Sequence, residues 1–152
     1  MPLARALRSG RQHGASGPRT WQVLGPPGEL TTEMMRLFVL NGKHDRLLEA
    51  AGITAEDMAV YRFSTLAEPG GALFVAEDRG RLQGLLFLAP EGLHSALLGH
   101  YVWSVRQLVI EPGALCSTAA SLLKSAFTLL EAPVDCVVAR VCSRDRAAIC
   151  GL

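Results

Sequence analysis

The stretch Leu108-Val-Ile-Glu-Pro-Gly-Ala-Leu-Cys-Ser-Thr-Ala-Ala-Ser-Leu-Leu123 decides the fold of this chain. It begins as the end of an apolar strand, predicted at Tyr101–Glu111, turns at Pro112-Gly113 and continues with helical spacing. A second apolar run, Val134–Val141, follows the helix and predicts a buried strand. Strand, helix and strand of these lengths indicate a crossover that joins two parallel strands.

The helix after the turn has the most regular period in the sequence. Ser117 or Thr118 is suited to begin it, and Pro133 ends it. The polar residues Ser121, Lys124, Ser125, Thr128 and Glu131 are expected on its solvent side. The apolar face is predicted to consist of Ala119, Leu122, Leu123, Ala126, Phe127 and Leu130.

Upstream, a hairpin is predicted at Ala72–Leu88 around a turn at Arg79-Gly80-Arg81, with Gly84 marking a bulge or a close backbone approach. The residues from Glu91 to His100 read as a loop with weak helical character. The fold class is therefore α/β, a mixed α+β sheet with flanking helices. The elements predicted before the hairpin are a short strand at Trp21–Leu24 and helices at Glu29–Asn41, Asp45–Ala51 and Thr54–Leu66.

Composition narrows the class of protein. A chain of 152 residues with 49% hydrophobic and 19% charged residues is typical of one soluble globular domain. The net charge of +1 argues against nucleic acid as the main partner, and no apolar run approaches the roughly 20 residues that span a bilayer. The cysteines have no metal-ligand spacing and no disulfide framework, so we predict no metal, a reducing environment and small, buried thiols.

The first twenty residues contain four arginines and no carboxylate. We predict a basic, disordered tail at 1–20 followed by one domain at 21–152, because Gly10, Gly14, Gly17 and Pro18 oppose a helix. An Arg-rich, acid-poor start also fits an organellar transit peptide. The predicted location is cytoplasmic, with an organelle as the alternative.

The start of the helix after Pro112-Gly113 is the candidate binding site. Free backbone N–H groups and the positive end of the helix dipole favour an anion there, and small side chains let it approach closely. The alternative is an ordinary turn between a strand and a helix.

This junction resembles the GNAT family of N-acyltransferases. Leu108, Ile110 and Pro112 match the family's hydrophobic–x–Val–x–Pro run at the end of its fourth strand, and Leu123 matches the leucine of its third helix. The pyrophosphate loop of the family, Gln/Arg-x-x-Gly-x-Gly/Ala, departs here, with Leu115 at the basic position. Its glycines fall on Cys116, Thr118 and Ala120.

A second match lies near the end of the sequence. Asp145 and Ala148 match the family's Asn-x-x-Ala-x-x-x-Tyr, with Leu152 where the tyrosine would stand. The likeness covers about Trp21 to Leu152, and the family's last two strands would follow. We therefore expect a truncated GNAT-like domain that is inactive by itself and prone to associate with another chain.

The resemblance implies an N-acyltransferase in which a substrate amine attacks the thioester of acetyl-CoA or another acyl-CoA. The implied partner is a small-molecule or peptide amine, and homo-oligomerisation stays open. A non-catalytic GNAT-like module that binds CoA or a protein partner is the alternative. The cofactor-binding residues implied are Leu108, Val109, Ile110, Cys116, Ser117, Thr118, Ala119, Ala120, Ser121 and Asp145.

A catalytic base is not identified by any motif. Glu111 ends the strand before the junction, and His100 and Tyr101 precede that strand. All three have side chains able to accept a proton, so they are the candidates. Ordinary roles in a loop or at a strand end are the alternative for each.

Overall fold

The computed structural model describes residues 12–13, 19–23, 31–41, 50–64, 66, 68–114 and 116–139. Its strands form one six-stranded sheet in the order β1-β2-β3-β4-β5-β6. The strands are β1 (Gln12–His13), β2 (Arg19–Val23), β3 (Ala72–Asp78), β4 (Arg81–Pro90), β5 (Val102–Ile110) and β6 (Cys136–Ala139). The helices are α1 (Thr32–Asn41), α2 (Ala55–Ser64), α3 (Gly92–Leu98) and α4 (Cys116–Leu129).

Neighbouring strands from β1 to β5 are antiparallel, and β5 and β6 are parallel. Helix α4 joins β5 to β6, so the predicted crossover is confirmed. The predicted fold class, a mixed sheet with flanking helices, is confirmed as well.

The β3–β4 hairpin forms as predicted. Its two-residue turn places Arg79 at φ 49° and Gly80 at φ 78°, the positive values of a type I′ turn. Pairing shifts from Ala76↔Gly84 to Glu77↔Leu82, which leaves Gln83 as the extra residue of a bulge. A Cβ on Gly84 would lie 2.9 Å from Ile110 Cδ1 and 3.2 Å from the Val109 carbonyl oxygen, so both predicted reasons for this glycine are present.

A second bulge interrupts β5. Pairing steps from Phe87↔Gln107 to Leu88↔Val105, so Arg106 is an extra residue opposite β4. Because side chains alternate between faces, an extra residue reverses the alternation beyond it. The residues before and after Arg106 therefore each face the side of the sheet on which they pack.

The core lies on both faces of the sheet. Helices α1 and α2 cover one face, where Phe38 packs with Val75, Leu85 and Val109. Helix α4 covers the other face, where Leu122 packs with Phe74, Leu86 and Ile110. Every one of these side chains is at most 5% exposed.

The predicted apolar face of α4 is only partly right. Phe127 is 43% exposed, whereas Ser125 is buried at 6%. At about 100° per residue, Phe127 lies roughly 140° around the helix from the fully buried Leu122. The small Ser125 side chain instead lies within the stripe that faces the sheet, together with Leu129.

Several other predictions need correction. The segment after Pro90 is a helix, α3, in which Leu93 and Leu97 are exposed at 70% and 74%. Strand β6 begins at Cys136, two residues later than predicted, and its described residues alternate between exposed and half-buried. Cys136 is exposed, so it is not a core residue.

Strand β1 and the start of β2 lie within the first twenty residues that were predicted as a tail. The rest of that segment, most of the helix predicted at Asp45–Ala51, and residues 140–152 lie outside the described residues. The tail and the domain boundaries stay predictions. Among the described residues, no helix is both long and apolar enough to cross a membrane.

Two substitutions test the facing of α4. We expect Leu122→Ala to lower the free energy of unfolding by about 2–5 kcal/mol, because it leaves a cavity where a fully buried side chain packs against the sheet. Phe127→Ala should cost less than about 1.5 kcal/mol, because the ring is already partly in water. Urea denaturation of both variants measures the difference. Equal losses would show that α4 faces the sheet differently.

Candidate functional site

The end of β5 is a tight turn that leads into α4. Ala114 N donates to the carbonyl oxygen of Glu111 at 2.9 Å, and Gly113 has φ 89°. Proline at the second position and a positive φ at the third are typical of a type II turn. The turn brings the chain from the end of β5 to the first residue of α4, Cys116, within a few residues.

The first turn of α4 offers backbone donors. The first four N–H groups of a helix have no intrahelical acceptor, and the dipole adds positive potential there. Thr118 and Ala119 are buried at 9% and 0%, so their side chains do not line a binding surface. Ala120 is exposed and Ser121 half-buried. Any ligand at this end of α4 therefore meets backbone amides and small side chains.

Helix α1 holds the end of β5 in place through two polar contacts. Asn41 Nδ2 donates to the carbonyl oxygens of Leu37 at 2.9 Å and Ile110 at 2.8 Å. Arg36 forms an ion pair with Glu111 and donates to the Leu82 carbonyl oxygen at 3.1 Å. These contacts hold α1, β4 and β5 together at the end of the sheet where the chain leaves β5 and enters α4.

Glu111 is paired with two guanidinium groups. Arg81 Nη2 lies 3.1 Å from its second carboxylate oxygen, and the Glu111 side chain is only 14% exposed. Burial acts to lower the pKa of Arg36, but hydrogen bonds and charge interactions with Glu111 and Glu33 outweigh it and raise that pKa above its ordinary value. Arg36, Arg81 and Glu111 thus form one network of ion pairs.

A second polar cluster lies at the β5 bulge. Arg106 Nε and Nη2 donate to the two carboxylate oxygens of Glu68, each at 3.1 Å, and Arg106 Nη1 lies 2.9 Å from Glu91 Oε1. Ser104 pairs with Ala89 across the strands, and Ala89 packs on the side of α1 and α2. We call Glu68, Glu91, Ser104 and Arg106 the Arg106 cluster.

The Ser104 hydroxyl is the buried member of this cluster. Ser104 is 6% exposed, and among the described residues no partner lies within hydrogen-bond geometry of its Oγ atom. It is nevertheless near enough to lower the pKa of Glu91 below its ordinary value. Arg106 and His94 act in the same direction, against burial.

Comparison with known proteins identifies the architecture. No family model and no curated protein matches this chain. A solved structure described as a probable acetyltransferase is similar, with a TM-score of 0.52 and 18% identity over 86% of this chain and 83% of that one. The chain has an acetyltransferase-like fold. A transcriptional regulator from Bacillus halodurans C-125 also aligns, with a TM-score of 0.44 and 12% identity over 80% of this chain and 84% of that one. No conclusion rests on the second likeness.

Within this acetyltransferase-like fold, the predicted bases are far apart. His100 and Tyr101 precede β5, and Glu111 follows it, so roughly 30 Å of strand separates them. His100 and Tyr101 are 67% and 58% exposed, and both contact Asp135 at the start of β6. Glu111 is fixed by its two arginines. The structure thus separates Glu111 from His100 and Tyr101, which lie together at the other end of β5.

The predicted cofactor-binding residues do not all direct their backbone groups to the same side of β5. Glu111 N donates to the Gln83 carbonyl oxygen in β4, so by alternation the backbone of Val109 also faces β4. The backbones of Leu108 and Ile110 face the β6 side. Cys116, Ser117, Thr118, Ala119, Ala120 and Ser121 all lie in the first turns of α4. Asp145 lies outside the described residues, which contain no group of side chains able to hold a metal ion.

The Arg106 cluster was not predicted from the sequence. Its members come from three separate segments, which the β4–β5 register and the position of Glu68 before β3 bring together. One local signal was present, since Arg106 and Gln107 are adjacent polar residues within a largely apolar strand. Such a break in period two is typical of a bulge.

A substitution at Arg36 tests the contact between α1 and β5. Arg36→Ala should lower the free energy of unfolding by about 1–3 kcal/mol, because it removes a half-buried partner of Glu111. Arg81→Ala should cost less than about 1 kcal/mol, because Arg81 is 59% exposed. Chemical denaturation compares them. A larger loss for Arg81→Ala would contradict the role assigned to Arg36.

Proposed function

We propose that this chain forms the acyl-CoA-binding part of an N-acyltransferase. The observation behind the proposal is the β5–turn–α4 junction within an acetyltransferase-like fold, where β5 is bulged and runs parallel to β6. The similarity of fold alone does not identify a substrate. The chemistry of the junction adds to it, because a helix start with small side chains suits a pyrophosphate.

The acyl-CoA would be bound mainly by backbone groups. Its pyrophosphate would accept hydrogen bonds from amides in the first turn of α4, between Cys116 and Ser121. Its pantetheine arm would run along β5 on the side away from β4, where the backbone of Leu108 is well placed. The Ile110 carbonyl already accepts from Asn41 Nδ2, so Leu108 would contribute more than Ile110.

The reaction would be direct acyl transfer. The acceptor ammonium first loses a proton to solvent, and the nitrogen lone pair then attacks the thioester carbonyl carbon. A C–N bond forms, the C–S bond breaks, and the departing thiolate takes up the second proton that the attacking nitrogen loses. The products are an amide, CoA as its thiol, and the proton released from the ammonium. Acetyl is the proposed acyl group.

A non-catalytic CoA-binding module is the second candidate. The ion pairs of Glu111 with Arg36 and Arg81 favour this second candidate, because a carboxylate held in two ion pairs is a poor general base. Leu115 and Thr118, where the GNAT family has a basic residue and a glycine, point in the same direction. Both candidates require CoA binding at the same place.

Binding of CoA by the 152-residue chain tests what the two candidates share. Calorimetric titration with CoA should give a saturable heat, and Ala120→Glu should raise the dissociation constant about tenfold through charge repulsion near the phosphates. Thr128→Glu is the matched control. It adds the same charge to an exposed position on the same helix about 12 Å further along, and it should leave affinity nearly unchanged. Absence of any saturable heat, or equal weakening by both variants, contradicts the assigned site.

A further inference from the structure

We propose that the Glu91 carboxylate and the Ser104 hydroxyl, beside the bulge in β5, bind the ammonium group of the acceptor amine. The inference rests on the proposed function, which requires an amine, and it names the residues and the charge that would recognise it. Three observations support the site: an unpartnered buried hydroxyl, an excess of negative charge, and a position next to the strand that would hold the acyl donor.

The hydroxyl of Ser104 is the first observation. Buried side-chain oxygens are nearly always hydrogen-bonded, and one left without a partner costs about 1–3 kcal/mol. Ser104 Oγ has no aligned partner among the described residues, although it lies against the Glu91 carboxylate. A ligand N–H donor placed between the two oxygens would satisfy the hydroxyl and the carboxylate together.

Charge is the second observation. Glu68 and Glu91 contribute two negative charges and Arg106 one positive charge, which leaves one negative charge in the cluster. Arg106 directs Nε and Nη2 to Glu68 and only Nη1 to Glu91. The second Glu91 oxygen has a longer contact, 3.6 Å, with His94 Nδ1. A single cation therefore complements the cluster, whereas an anion would be repelled.

The charged state of Glu91 suits binding of an ammonium group better than removal of a proton from it. Ser104, Arg106 and His94 lower its pKa, so the charged form of the carboxylate is favoured. A weakly basic carboxylate is a poor general base and a good partner for a cation. Glu91 and Ser104 are therefore assigned to holding and orienting the ammonium group.

Position is the third observation. Ser104 lies two residues, roughly 7 Å, before the extra residue Arg106 and about 13 Å before Leu108. An acyl-CoA bound with its pyrophosphate at α4 and its pantetheine beside Leu108 would direct its thioester toward the bulge. An ammonium group held by Glu91 and Ser104 would then lie close to the acyl carbon.

The test uses benzylamine, which is a cation at neutral pH, and benzyl alcohol as its uncharged analogue. The amide signals of Glu91, Ser104 and Arg106 in proton–nitrogen correlation spectra should shift saturably with benzylamine and stay fixed with benzyl alcohol. Glu91→Gln should raise the dissociation constant for benzylamine at least about tenfold, the value of a hydrogen bond to a charged group. Glu56→Gln, an equivalent change at an exposed position on α2, should leave it within about twofold.

Ser104→Ala separates a binding role from a structural one. Loss of a buried hydroxyl that has no aligned partner should change the melting temperature little, whereas the dissociation constant for benzylamine should rise several-fold. A purely structural Ser104 would give a lower melting temperature and unchanged benzylamine binding. That result, or the absence of saturable shifts in the Arg106 cluster, would overturn the inference.

Titration with CoA in the same samples distinguishes this inference from the proposed function. Normal CoA binding without benzylamine binding would remove only the ammonium site. Benzylamine binding without CoA binding would support a cation site and contradict the acyltransferase proposal.

Discussion

The extra residue in β5 determines which side chains meet on each face of the sheet. Ser104, like Val109 and Glu111, faces the side of α1 and α2. In an uninterrupted strand, residues separated by an odd number of positions, as Ser104 is from both of the others, would lie on opposite faces. The bulge at Arg106 resolves this conflict. It lets the first half of β5 direct Ser104 toward Glu91, while the second half directs Val109 into the core and Glu111 toward Arg36.

The end of β5 has a stable frame because α1 holds it from one side. Asn41 and Arg36 connect α1 to Ile110 and Glu111, just before the chain turns into α4. On the other face, Leu122 and Ile110 pack together, so α4 is anchored to the same strand end. Strand β5 thus positions both proposed ligand contacts, at the start of α4 and at the Arg106 cluster. A change in the register of β5 would displace both.

Local patterns predicted most of the architecture, because helix and strand periods depend on nearby residues. The hairpin turn, the close approach at Gly84 and the crossover through α4 followed from such patterns. Phe127 was misplaced because hydrophobicity alone does not show where a helix stripe ends. The Arg106 cluster could not be predicted, since it depends on the pairing of β4 with β5 and on the position of Glu68. Adjacent Arg106 and Gln107 were the one signal of the bulge.

Residue-resolved mapping of acetyl-CoA binding tests the central claim most directly. In proton–nitrogen correlation spectra of the labelled chain, the largest saturable shifts should occur at Leu108, Ile110 and the amides of Cys116–Ser121. The α2 segment Ala55–Ser64, which lies on the opposite face from α4, should change little. Shifts confined to other regions, such as the exposed leucines of α3, or no saturable shifts at all, would contradict an acyl-CoA site at the junction of β5 and α4.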